Sequence, residues 1–209
     1  MSELYSIQMK CSLKGNEMHE CYISVDIEAT GPTPGAYSMY ELGACVVGES
    51  KIFESHIALL PDSKYAPTAL RAVGTTKQAL LCRSNALPPA SVMSAFAEWA
   101  KCVARGKRLV FVANNAPFDW MFVAWYFEKC GVLNPFGHSA FDMKAYFMGM
   151  TGCMWRDATL DNMAIHANVE FGTLPHRALE DALIQSHVFE ALMKQHSLNI
   201  IGPANKKVI

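Results

Sequence analysis

The sequence predicts an α/β domain on a mixed sheet, with an antiparallel meander followed by parallel strands and helices on its faces. Three apolar, β-branched segments, residues 21–27, 42–47 and 52–60, predict the meander. A break rich in glycine and proline at residues 31–35 follows the first segment, and a short turn at residues 48–50 joins the other two. Later apolar segments alternate with helical patterns, which indicates the parallel part of the sheet. The 209 residues, 51% of them hydrophobic, suffice for one buried core and exclude a disordered chain.

The other elements follow from the spacing of apolar residues and from the residues that interrupt them. Helices are predicted over residues 67–73, 75–81, 88–104, 117–129, from about 143, over 160–166 and over 177–195, with short strands at 109–113 and 139–141. Pro117 at a helix start and Gly106 and Gly131 just past helix ends agree with these bounds. We expect one domain over residues 21–195, preceded by an arm or added hairpin (1–20) and followed by a tail (196–209).

Charge and cysteine content exclude several classes of protein. The net charge of −1 argues against a strongly basic nucleic-acid coat or a membrane-surface protein, while a substrate held at one local site stays possible. The seven cysteines contain no CxxC pair and predict reduced thiols in a cytoplasmic protein. The longest apolar run, residues 120–127, is far shorter than the ~20 residues of a membrane span, so no membrane is expected as a partner.

Asp26 and Glu28 form the first candidate site, at the end of the first predicted strand. Because they are two residues apart, both side chains point to the same face of the sheet. Two adjacent carboxylates repel each other unless a cation lies between them. The alternative is that one of them only caps the turn before Gly31.

The second candidate is Asp119, which follows the strand at residues 109–113. Asn115 lies at the predicted start of the next helix and Pro117 in its first turn, so Asp119 falls near the positive end of the helix dipole. An acidic residue is also favoured there for helix stability alone.

The third candidate is the pair His176 and Asp181, at the start of the last predicted helix. Asp181 lies about one helical turn after His176, so the imidazole is within reach of whatever the carboxylate binds. Glu180 and Asp181 are otherwise ordinary first-turn acids, and His176 a cap.

Together the three patches resemble the DEDDh family of 3′–5′ exonucleases, the DnaQ-like group that includes RNase T, oligoribonuclease and proofreading subunits such as DNA polymerase III epsilon. The matching motifs are Asp26-Ile-Glu28-Ala-Thr-Gly31, Asn115-Ala-Pro-Phe-Asp119 and His176-x4-Asp181, flanked by Glu41-Leu-Gly and Ser139-Ala-Phe-Asp142. The resemblance covers about residues 21–195. His176 stands five positions before Asp181, which indicates the histidine type; the tyrosine type has its base one position later, where this chain has Arg177.

The resemblance implies an RNase H-like fold and two Mg²⁺ or Mn²⁺ ions bound by four carboxylates: Asp26, Glu28, Asp119 and Asp181. It implies that Asp26 bridges both ions, that Glu28 and Asp181 hold the one that activates water, and that Asp119 acts on the other. Oxygen ligands select such hard cations rather than zinc.

His176 is the implied general base, since neutral imidazole accepts a proton near pH 7. Thr30 and Gly31 are expected to contact the terminal nucleotide, Asn115 to position the helix start or the substrate, and Phe118 to stack on a base. The side chains of Phe118 and its aromatic neighbours are also typical of a helix packed into the core.

The substrate groove is less well defined by the sequence. Many relatives carry a His-Gly-Ile-Thr-like stretch after the third strand, whereas residues 72–76 of this chain contain no histidine. Lys64, Arg71, Lys77 and Arg83 are candidates for phosphate contacts, although a solvated helical surface accounts for most of them.

The expected activity is metal-dependent 3′–5′ exonuclease action on single-stranded or short RNA or DNA, with release of nucleoside 5′-monophosphates. The alternatives are a proofreading subunit that depends on a polymerase partner, a non-catalytic nucleic-acid-binding module on the same fold, and an enzyme for small phosphodiesters. Only about 14 residues follow the last predicted helix, which counts against a tethered proofreading subunit. A homodimer is possible because several relatives form one.

Overall fold

The structure is a computed structural model, and it describes residues 20–172 and 175–201. The predicted arm, apart from Glu20, and the last eight residues of the predicted tail lie outside the described residues.

The described residues form a mixed five-stranded sheet with the order β3-β2-β1-β4-β5. The strands are β1 (Glu20–Ala29), β2 (Met39–Val46), β3 (Ile52–His56), β4 (Arg108–Ala113) and β5 (Ala140–Asp142). Strands β1, β2 and β3 are antiparallel neighbours, whereas β4 runs parallel to β1 and β5 parallel to β4. This arrangement confirms the predicted meander plus parallel strands. The third strand was predicted to continue to residue 60 but ends at His56, after which Ile57 makes an isolated bridge to Leu87.

Seven α-helices lie in the described part of the chain. They are α1 (Pro67–Ala72), α2 (Lys77–Leu81), α3 (Pro89–Ala104), α4 (Ala116–Lys129), α5 (Met143–Thr151), α6 (Leu160–Ala167) and α7 (Ala178–Ile201). Helix α7 continues six residues past the predicted end at residue 195, so the predicted start of the tail at residue 196 falls inside a helix. None of the described helices is long and apolar enough to cross a membrane.

The sheet separates two apolar layers. Helices α3 and α4 bury Phe96 and Phe122 against one face, together with alternate β1 side chains such as Val25. Helices α6 and α7 supply Met163 and Phe189 to the layer on the other side. Because side chains alternate along a strand, the even-numbered residues of β1 face α7.

The pairing of β1 changes along its length, and this change positions the site. The pairing with β2 extends to Ala29, but the pairing with β4 ends at Ser24 opposite Val112. Beyond Ser24, backbone groups on the β4 side of β1 need partners other than a strand, because a buried unpaired N–H is costly.

Candidate active site

Asp26 and Glu28 lie in the second half of β1, on the face that α7 covers. The Asp26 carboxylate Oδ1 accepts a hydrogen bond of 2.6 Å from the Nε2 of Gln185 on α7. Glu28 is buried, and its carboxylate lies close to that of Asp181 on the same helix. The period-two pattern therefore brings both carboxylates to one place, as their spacing predicted.

Strand β2 fixes the start of α7 beside these carboxylates. Gly43 is paired with Asp26, and a Cβ at this glycine would collide with the backbone of Leu179. The absent side chain thus lets the first turn of α7 approach the sheet. Glu41, also on β2, accepts a hydrogen bond of 3.1 Å from the backbone N–H of Ala178. An acidic group at this position also complements the helix dipole.

Asp119 is supplied by α4, which begins just after β4. Asn115 adopts the left-handed conformation, with φ of 65°, and turns the chain from the strand into the helix. Asp119 then lies in the first turn, is buried, and accepts a hydrogen bond of 3.1 Å on Oδ1 from the backbone N–H of Ile27. The Asp119 carboxylate therefore serves as the acceptor for a β1 backbone N–H that lies past the end of the pairing with β4.

His176 lies at the open side of the cluster. It is exposed, and its backbone φ of 52° places it in the left-handed region two residues before α7. One ligand atom each from Glu28, His176 and Asp181 lies within 4.8 Å of the others. The structure thus brings the predicted base beside two of the predicted acids.

The four acids lie close enough to change one another's ionisation. Burial, followed by the charges of Asp119, Glu28 and Asp181, raises the pKa of Asp26 well above its usual range. Burial and the neighbouring charges of Glu41, Asp181 and Asp119 raise the pKa of Glu28 to about 8.

Burial also raises the pKa of Asp119, against the lowering effect of the Ile27 N–H bond. Burial raises the pKa of Asp181 to about 6, although the nearby His176 opposes the shift. Without bound cations, the folded chain therefore resists the full ionisation of this cluster.

The donor atoms suit hard divalent cations. Oδ1 of Asp181 is buried and has no hydrogen-bond partner among the described residues. The Oδ1 atoms of Asp26 and Asp119 are occupied by Gln185 and Ile27, while no side-chain hydrogen bond is found at either Oδ2 in the described part of the chain. An all-oxygen set of this kind suits hard divalent cations such as Mg²⁺ or Mn²⁺. Their positive charge would offset the burial and the carboxylate repulsion that raise these pKa values.

The four predicted substrate contacts occupy different surroundings. Thr30 is fully buried; its Oγ1 donates to the carbonyl of Lys64 at 2.8 Å and accepts from the N–H of Ser38 at 2.9 Å. Gly31 lies so close to the Tyr37 ring that a Cβ would collide with it. Both residues therefore hold the loop after β1 in place, and their contact with a nucleotide stays a prediction.

Asn115 and Phe118 flank the start of α4. Asn115 is exposed, and its side chain makes no capping hydrogen bond to the helix. Phe118 is half-buried against Phe122, with ring centroids 5.3 Å apart. The exposed amide of Asn115 is therefore free to face a substrate, whereas Phe118 contributes largely to packing.

Arg83, one of the candidates for phosphate contact, is paired with side chains of the sheet, and its contact with a phosphate stays a prediction. Its guanidinium donates to Glu41 Oε2 at 3.2 Å and contacts Nδ1 of His56 at 2.8 Å. The charge of Arg83 is thus used to compensate a buried glutamate. Lys64, Arg71 and Lys77 are exposed, as a solvated surface requires.

Two residues of the site have no counterpart among the predicted site residues. Gln185 lies four residues after Asp181, hence on the same face of α7, and this spacing was the available signal. Glu41 is paired with Glu28 across β1 and β2. Its position became informative only once the strand register was known.

The class of protein follows from the sheet order and the carboxylates at the end of its central strand. The nuclease domain of 3′hExo, a DEDDh family member bound to rAMP, superimposes with a TM-score of 0.71 at 13% identity. The match covers 86% of this chain and 94% of that chain. Exonuclease I superimposes with a TM-score of 0.64 at 17% identity, over 87% of this chain and 43% of that chain. The fold is therefore the RNase H-like fold of DEDDh nucleases.

Sequence comparison identifies the family. The RNase_T exonuclease family matches residues 23–189. The 3′-5′ DNA exonuclease Cap18 of Escherichia coli is 35% identical over 178 residues, which are 84% of this chain and 92% of the relative. The chain belongs to the RNase_T exonuclease family and is a 3′–5′ exonuclease, which confirms the predicted class of enzyme. The family depends on divalent metal and acts on nucleic acid. The alternative of a non-catalytic binding module is therefore not supported.

Proposed function

We propose that this exonuclease shortens single-stranded or short DNA from a free 3′-OH and releases deoxynucleoside 5′-monophosphates, using two Mg²⁺ or Mn²⁺ ions. The observation that carries the proposal is the convergence of four carboxylates and one imidazole at the point where β1 and β4 separate. The choice of DNA rests on the relative described as a DNA exonuclease.

Asp26, Glu28, Asp119 and Asp181 would hold the cations. When bound, two such ions supply positive charge at the attacking and leaving oxygens of an in-line displacement. The carboxylates contribute fixed negative charge in a largely buried site, where electrostatic interactions are stronger than in water. Cation binding would lower these raised pKa values and favour the ionised carboxylates.

His176 would act as the general base. Its exposed imidazole lies beside Glu28 and Asp181 at the open edge of the cluster, where water has access. The imidazole accepts a proton from the attacking water, the water oxygen bonds to phosphorus, and the bond from phosphorus to the 3′-oxygen breaks. The departing 3′-oxygen takes up a proton from solvent water. The products are a 5′-monophosphate and a strand one nucleotide shorter with a new 3′-OH.

Asn115 and the loop carrying Thr30 and Gly31 would position the terminal nucleotide. Lys64 joins this loop through its bond to Thr30, and Lys77 lies over the ring of Tyr65 in the same segment. These exposed cations would attract the phosphate backbone of the strand without reading its sequence. A homodimer, a cytoplasmic location and the domain bounds 21–195 remain predictions.

The test uses matched single strands of DNA and RNA, labelled at the 5′ end, with Mn²⁺ or Mg²⁺. We expect a ladder that shortens from the 3′ end of DNA, faster than that of RNA, and absent in Asp181→Asn. Chromatography of the products should show 5′-monophosphates, and a 3′-phosphate block should prevent degradation. Equal rates on both strands would contradict the DNA preference. The absence of a ladder with either metal would contradict the proposal as a whole.

A further inference from the structure

Gln185 forms a bridge between two segments of the active site. Its Nε2 donates to Asp26 Oδ1 at 2.6 Å, and its Oε1 accepts from the backbone N–H of Asn114 at 2.8 Å. The side chain is 3% exposed, and it reaches from α7 into the gap left where β1 and β4 cease to pair. One amide thus links the central strand, the end of β4 and the last helix.

The two partners determine which way the amide points. The N–H of Asn114 is a donor only, so the oxygen of Gln185 must face it. The amide nitrogen then faces Asp26 and can only donate. Oδ1 of Asp26 must therefore be an acceptor, which fixes the rotation of the carboxylate and leaves its Oδ2 for another partner.

We infer that Gln185 is a positioning residue: its amide holds the Asp26 carboxylate in the orientation that binds the catalytic cations. This inference rests on the proposed metal-binding role of Asp26. Residues that hydrogen-bond to a metal ligand tune its orientation, and their removal lowers metal affinity by about 10–100-fold. A buried amide that makes two hydrogen bonds is well suited to such a role because its own position is fixed.

A purely structural role is the competing explanation, and two substitutions separate it from positioning. Gln185→Met has nearly the same shape but loses both hydrogen bonds. Gln185→Glu keeps an acceptor for the N–H of Asn114, but its ionised carboxylate cannot donate to Asp26 and repels it instead. A role limited to holding Asn114 would tolerate the glutamate, whereas a role in orienting Asp26 would not.

The first measurement is Mn²⁺ binding by the purified full chain without nucleic acid, from the electron paramagnetic resonance signal of free Mn²⁺. We expect both Gln185 variants to bind Mn²⁺ about 10–100-fold more weakly than the wild type. The matched control is Gln195→Met, on the same helix, where the lost bond is to the backbone carbonyl of His166 at 3.2 Å. This control should bind Mn²⁺ as the wild type does.

The second measurement is the rate on 5′-labelled single-stranded DNA across a range of Mn²⁺ concentrations. The kcat of Gln185→Met should fall at low Mn²⁺ and recover as Mn²⁺ rises, while KM for DNA stays within about twofold. Melting temperatures in EDTA show whether each variant is folded. Unchanged Mn²⁺ affinity in both variants, or retained affinity in Gln185→Glu alone, would overturn the inference while leaving the proposed function intact. A wild-type chain that binds no Mn²⁺ would overturn both.

Discussion

The two halves of β1 differ in how their backbone and side chains are used. In the first half, up to Ser24, the strand is paired with β2 and β4, apart from its first residues, which pair with β4 alone. In the second half, β2 remains, but Asp119 and Gln185 occupy the side that β4 has left. The first half therefore builds the sheet, and the second half exchanges strand pairing for side-chain contacts. Chemistry becomes possible where a strand loses one neighbour, because side chains from other elements then reach the gap.

The position of the acid cluster does not coincide with that of a large cavity. A cavity of about 760 Å³ lies at the beginning of β1, with Cys21, Val103 and Phe189 among its lining residues. The acid cluster lies at the opposite end of the strand, around Glu28. The site is thus indicated by converging carboxylates with raised pKa values rather than by the volume of a cavity.

The largest expected effect is on activity, from substitutions in the second half of β1 and its partner on α7. Asp26→Asn and Asp181→Asn should each lower kcat by about 10³-fold or more, because each removes a carboxylate from the proposed cation site. The rate of 3′ shortening of labelled single-stranded DNA measures the loss. Both variants should stay folded in EDTA, since each removes a repelling charge, and retained activity would refute the metal assignment.

His176→Ala should have the next largest effect, a decrease in kcat of about 10²–10⁴-fold at pH 7. The imidazole is exposed and close to Glu28 and Asp181, so its loss should leave the fold and the four acids in place. The pH profile of kcat, measured beside that of the wild type, tests the role. A variant that retains the wild-type rate and pH profile would remove His176 as the base.

The stability of the metal-free protein should depend on pH in the direction set by Glu28. The pKa of Glu28 rises from 4.5 in the unfolded chain to about 8 in the folded chain, so the folded state holds the extra proton between these values. The contribution of Glu28 to stability is therefore fully present below pH 4.5 and is lost as pH rises through about 8.

Urea denaturation in EDTA between pH 5 and 8.5, with the wild type beside Glu28→Gln, measures this contribution. The wild type should lose stability relative to the variant as pH rises, and Mg²⁺ should restore the wild type at high pH. If the difference in the free energy of unfolding between the wild type and Glu28→Gln stays constant across this pH range, the raised pKa of Glu28 is contradicted.

The sequence predicted the sheet and the acids for physical reasons that act over short distances. The apolar segments and the two-residue spacing of Asp26 and Glu28 are local, and the structure has the expected strands and the shared face. The role of Arg83 was not predictable in this way. Its partner Glu41 is 42 residues away, and only the register of β2 with β3 brings His56 beside both.

The length of α7 and the bridge by Gln185 are further examples. The six residues past the predicted helix end include His196, Ser197 and Asn199, which are weak helix formers, so a longer helix was not expected. In the sequence, Gln185 looks like an ordinary polar residue of a helix. Its role became visible only in the structure, where its amide fills the gap between β1 and β4.

The smallest expected effect falls on the first half of β1, where the side chains should matter for stability alone. Ser24 is fully buried, and its Oγ donates to the carbonyl of Ala182 at 2.8 Å. Ser24→Ala should lower the free energy of unfolding by about 1 kcal/mol, because one buried hydrogen bond is lost. The Ala182 carbonyl still accepts from the Cys45 thiol at 3.4 Å, which keeps the loss modest. Urea denaturation measures this change. The kcat on single-stranded DNA should stay within about twofold, because the bond of Ser24 to Ala182 contacts neither Asp26 nor Gln185. A loss of kcat comparable to that of Asp26→Asn would show that both halves of β1 belong to the active site.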